Sequence, residues 1–106
     1  MSVESDIEER VRVDFPPDAV AEILRRLESA SANARTQRCI VFAARGHLWY
    51  FNYLCRVAKR DFRDVILAAE YDRFDIRLYD FTKPLHQARI DDPYATNKYG
   101  PDPTKI

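Results

Sequence analysis

Cys39, His47 and Cys55 recur at intervals of eight residues, and with His86 they make up a set of side chains that could be imagined around a soft divalent metal. Zinc sites are built from close ligand pairs that a short turn can present together, and this spacing supplies none. Two buried thiols and a histidine at a helix start account for the same residues, so no metal is expected. A nucleophilic enzyme needs a Cys or Ser beside a His and an orienting acid. Cys55, His47 and Asp61 can be named for those roles, but any chain of this size offers such a triple. The carboxylate pairs Glu8-Glu9 and Asp91-Asp92 fall in polar segments, where neither fixed geometry nor a tuned pKa is expected. With Gly46 and Gly100 as its two glycines, the chain has no glycine-rich phosphate loop. The expectation is a non-enzymatic protein without a cofactor.

Charge is distributed more informatively than the total. The 17 basic and 17 acidic residues balance, yet residues 1–30 carry a net −4, residues 31–63 a net +6 and residues 64–106 a net −2. No carboxylate occurs between Ser29 and Arg60. Arg35, Arg38, Arg45, Arg56, Lys59, Arg60 and Arg63 are therefore candidates for one positive surface, and Arg suits bidentate contact with carboxylate or phosphate. The competing expectation is that they pair within the fold with the acidic first helix and the acidic stretch 64–80. Trp49, Tyr50, Phe51 and Tyr53 lie inside the basic block. Consecutive helical positions point all round the axis, so Trp49, Tyr50 or Tyr53 is expected at the surface, as the aromatic anchor of a protein interface. The stretches Ala69-Glu70-Tyr71-Asp72 and Tyr79-Asp80-Phe81 set carboxylates beside aromatics at element ends, where they form a small pocket or cap the core.

The elements that must position these groups follow from periodicity. Val20, Ile23, Leu24 and Leu27 after Pro16-Pro17 predict a helix over 17–30, and Ser29 to Asn33 reads as a short connection. The run Cys39–Ala44 is apolar throughout; helix over 34–45 is favoured, with Gly46 as a left-handed cap. A third helix, 47–58, has so broad an apolar face that it is expected to be central. Asp61 caps a fourth, 61–71. Phe74, Ile76 and Leu78 then alternate with Asp75 and Arg77, predicting an extended segment over 74–81 that either straps the bundle or pairs with a strand at 39–44.

The expected fold is thus mostly α: a compact bundle of about four helices, an extended segment and a flexible tail, with an α+β arrangement pairing 39–44 and 74–81 as the alternative. Residues 1–13 read as a loosely held arm, 14–83 as one helical domain and 84–106 as a Pro-containing flexible tail. With 46% hydrophobic residues, a chain of 106 residues can bury one core without disulfides. The acidic N-terminus and the lack of any long apolar run disfavour export and membrane insertion, and a cytoplasmic protein is expected. By elimination the expected function is a protein-protein interaction module that grips an acidic partner surface with Arg56, Lys59, Arg60, Arg63, Trp49 and Tyr53. Nucleic-acid binding through the basic block 35–63 is the alternative, a ligand pocket among the tyrosines a third reading, and the broad face of the third helix would also allow a homodimer.

Overall fold

A computed structural model describes residues 3–93, and it is mostly helical: α1 (Ser5–Asp14), α2 (Val20–Ala30), α3 (Ala34–Ala44), α4 (Leu48–Arg60) and α5 (Phe62–Glu70). Single tight turns, Pro17–Ala19 and Leu85–Gln87, precede α2 and follow the extended segment. The helix boundaries have local causes. Asn33 accepts a hydrogen bond from the Thr36 amide at 3.2 Å to open α3, and Asp61 accepts one from the Arg63 amide at 3.1 Å to open α5. Between α3 and α4 the chain reverses through two left-handed residues, Arg45 (φ 49°) and Gly46 (φ 80°). A side chain at Gly46 would place its Cβ 2.6 Å from the Asp14 carbonyl oxygen, so both the φ and the close passage of α1 call for glycine.

The stretch read as a loose arm is α1. Its Ile7 and Val11 are fully buried, and Val3 joins the same core, whereas Val13 is exposed. The helix is held electrostatically as well: Arg38 of α3 donates to Asp6 at 2.9 Å and to Glu4 at 2.6 Å. The central helix is α3 rather than α4. Buried residues Thr36 to Val41 surround its axis, and α3 packs against α1, α2, α4 and α5. The apolar run that left helix and strand open is apolar because its helix is covered on every side. Since 39–44 is helical, the α+β pairing does not form.

The segment after α5 is a strap. Asp72 accepts hydrogen bonds from the amides of Phe74 and Ile76, which tightens a turn with Asp75 in the left-handed region. Isolated antiparallel bridges join Tyr71 to Arg77 and Tyr79 to Arg89. Ile76 and Phe81 are buried, while Phe74 is exposed. The strap continues past the expected start of the tail: Ala88 is buried in the core, its carbonyl accepts from the Asp80 amide at 2.7 Å, and the Leu85 amide donates to Asp6 at 3.0 Å. The rest of the expected tail, residues 94–106, lies outside the described residues.

Candidate functional site

The fold divides the basic block into two groups. Arg35 and Arg38 face inward. Arg35 donates to Glu70 at 2.7 and 3.0 Å, and Arg77 donates to the same carboxylate at 3.1 Å, while the Phe81 amide completes its coordination at 3.0 Å. Glu70 is fully buried, so the carboxylate expected to form a pocket or cap the core closes the core beneath the strap. Arg38 ties α1 to the strap by adding a bond to the Phe81 carbonyl at 3.1 Å. Burial pushes the Asp6 carboxyl up, but the Arg38 hydrogen bond, the Leu85 amide and the Arg38 charge outweigh it and hold Asp6 below its ordinary range.

The outward group lies on α4. Trp49, Tyr53, Arg56 and Arg60 are spaced by four, three and four residues, which sets them in one stripe on the face opposite buried Phe51, Leu54 and Ala58. At a rise of 1.5 Å per residue the stripe is about 16 Å long. Trp49 is 73% exposed and Tyr53 is 45% exposed. Their rings are steadied by Tyr50, whose centroid lies 5.4 Å from Trp49 and 6.0 Å, stacked, from Tyr53. Arg56 and Arg60 are exposed and make no ion pair among the described residues. Arg63 lies on α5, where Asp61 engages its guanidinium at 3.0 Å, and that bond raises the Arg63 pKa while lowering that of Asp61. Lys59 points to the opposite flank of the stripe, into a cleft shared with α2.

That cleft was not legible in the charge count. Arg25, Arg26 and Ser29 of α2 and Asn52, Cys55, Arg56 and Lys59 of α4 line a volume of about 410 Å³. Arg26 spans it, donating to Glu22 at 2.7 Å on its own helix and to Asn52 Oδ1 at 2.6 Å on α4. Arg25 and Arg26 were hidden because they belong to a block of net negative charge. The available signal was their place on the polar face of an amphipathic helix, one turn from Ser29. Burial pushes the Cys55 thiol up to about 11 against the opposing pull of Lys59, Arg26 and Arg56.

Neither a protein-family model, nor a curated protein, nor a solved structure matches this chain.

The remaining candidates are dispersed. His47, Cys55 and Asp61 sit at the start, middle and end of α4, so successive members are separated by about 9–12 Å of helix rise. Among the described residues no group of three or more His, Cys, Asp or Glu side chains is placed to hold a metal ion, and no helix is long and apolar enough to cross a membrane. Tyr50, Tyr71 and Tyr79 do share an open cleft of about 340 Å³ with Phe42, Arg45 and Leu78. Phe42 fills its floor, against Tyr79 at 4.5 Å and beneath the Arg45 guanidinium at 6.0 Å.

Proposed function

We propose that this chain is a non-enzymatic interaction module that holds an acidic segment of a partner protein along the solvent face of α4. The observation that carries the reading is the Trp49–Tyr53–Arg56–Arg60 stripe. Two aromatic and two cationic side chains stand on one rigid helix without a carboxylate on the same helix, and Trp, Tyr and Arg are the residues that dominate interface energetics. Trp49 and Tyr53 would supply buried apolar area on binding, and Arg56 and Arg60 would set orientation and association rate through a partner's carboxylates. Nucleic acid is the weaker reading, because Arg35 and Arg38 are engaged within the fold and Arg63 with Asp61, which shortens the run of cations open to phosphates.

Trp49 is the chain's single tryptophan, so its emission reports on this face alone. Affinity capture with the tagged protein at low salt should retain a stoichiometric acidic protein, and adding that protein to the purified chain should shift Trp49 emission to the blue. Arg56→Glu with Arg60→Glu should abolish both effects with the thermal midpoint little changed. Capture that survives the double reversal, or capture of nuclease-sensitive nucleic acid alone, rejects the reading.

A further inference from the structure

The cleft between α2 and α4 has the chemistry of a small-anion site, distinct from the stripe beside it. Arg25, Arg26, Arg56 and Lys59 converge on it. The carboxylate nearest to them, Glu22, is already held by Arg25 and by Arg26. Four cations against one anion leave a surplus of three positive charges. The C-terminal ends of α2 and α4 approach the same region, and each contributes roughly half a negative charge, which brings the surplus to about two. Arg26 is fixed at both sides by Glu22 and Asn52, so part of the site is ordered before anything binds. Ser29 and Asn52 add hydroxyl and amide groups, and the volume lies within the range of about 300–1,000 Å³ usual for small-molecule sites.

We infer that this cleft binds a phosphate monoester, its dianion held by Arg25, Arg26, Arg56 and Lys59 and its hydroxyl-bearing remainder by Ser29 and Asn52. A monoester near neutral pH carries between one and a half and two negative charges, roughly, with three strong acceptor oxygens, which matches both the charge surplus and the forked donors of three arginines. A carboxylate carries half that charge and fewer acceptors. Binding makes and breaks no covalent bond. The monoester has two possible sources, a free small molecule or a phosphorylated side chain on a protein, and the chemistry at the cleft is the same for both.

The test is a titration of the isotope-labelled chain with glycerol 3-phosphate at constant ionic strength, followed by amide NMR shifts, with glycerol and sodium chloride as controls. Saturating shifts confined to residues 25–30 and 52–59 are expected. Arg25→Gln with Lys59→Gln should weaken binding at least tenfold, whereas Arg60→Gln, outside the cleft, should leave it unchanged. Both replaced side chains are exposed, and the amide spectrum itself shows whether the variant is folded; if it is not, Lys59→Gln alone should weaken binding several-fold. Shifts that fail to saturate, that chloride reproduces, or that persist undiminished in the cleft variants overturn the inference. A phosphoserine peptide with acidic flanks then separates the sources. Tighter binding than glycerol 3-phosphate, lost on Trp49→Ala, assigns the phosphate to a protein; equal binding assigns it to a free molecule. Because Arg25 is off the stripe and Arg60 is outside the cleft, this site and the partner-binding face stand or fall separately.

Discussion

Glu70 and Arg35, 35 positions apart in the chain, meet in a two-pronged ion pair, with Arg35 Nη2 at 2.7 Å from one carboxylate oxygen and Nε at 3.0 Å from the other. The carboxylate is inaccessible to water and carries Arg77 and the Phe81 amide as well, so α3, α5 and the strap share one anion. Removing one member of a buried charge cluster leaves the others desolvated without compensation, an effect on the order of 3 kcal/mol. Glu70→Gln keeps the shape and removes the charge. It should lower the urea midpoint markedly, with a stability loss of about that size, and a loss below about 1 kcal/mol would show that the arginines find water instead.

Asp6 extends the same logic to pH. Its folded pKa lies below the ordinary 3.8, because Arg38 and the Leu85 amide outweigh the opposing effect of burial. A depressed native value means that the unfolded chain binds the proton first, so the stabilisation is complete above the ordinary pKa and is lost as pH falls through the native one. Asp80, lowered chiefly by its Thr82 hydrogen bond, acts in the same direction. Stability should therefore be level above about pH 5 and fall at lower pH, and Asp6→Asn should flatten that acid limb while lowering stability at pH 7. An unchanged acid limb in Asp6→Asn would remove Asp6 from the linkage.

Helix positions were the most legible part of this fold, since α2, α4 and α5 each show an apolar stripe against a polar face, and Asp61 marks a start by its chemistry. Three features were not legible, each for a physical reason. α1 has few apolar residues, and its burial depends on Arg38, 32 positions beyond Asp6, which no local pattern reveals. Ala88 enters the core through pairing of the strap with residues 78–80, a long-range event in a segment that reads as polar. The centrality of α3 follows from what surrounds it, and periodicity reports only its own faces. The candidate site divided similarly. Exposure of Trp49 and Tyr53 follows from helical geometry alone, but the alliance of Arg25 and Arg26 with Lys59 requires knowing that α2 and α4 are neighbours.

The two thiols should be chemically quiet in the native protein. Burial raises Cys55 to about 11; burial, and secondarily the Glu70 charge, raise Cys39 to about 12. At pH 8 the thiolate fraction is then smaller than that of an ordinary cysteine by about a hundredfold or more. A disulfide-exchange reagent should modify both residues at a rate that tracks unfolding, and quickly in urea. Fast native labelling of Cys55 would mean that the α2–α4 cleft opens more widely than its geometry indicates.

The sharpest consequence is that one continuous basic block contains residues of opposite kinds. Arg38 is 4% exposed and donates to Asp6, Glu4 and the Phe81 carbonyl, so its loss unties α1 and the strap together. Arg56 and Arg60 extend into solvent with no ion pair among the described residues. Surface charges of that kind change stability little, whereas a buried charge that organises two elements changes it severely. In thermal unfolding, Arg38→Gln should lower the midpoint by about 10 °C or more, and Arg56→Glu with Arg60→Glu by about 4 °C or less. Equal losses would place the α4 arginines in the fold and withdraw them from partner binding. A small loss for Arg38→Gln would instead make α1 the loosely held arm that its sequence describes, with Ile7 and Val11 holding it by apolar contact alone.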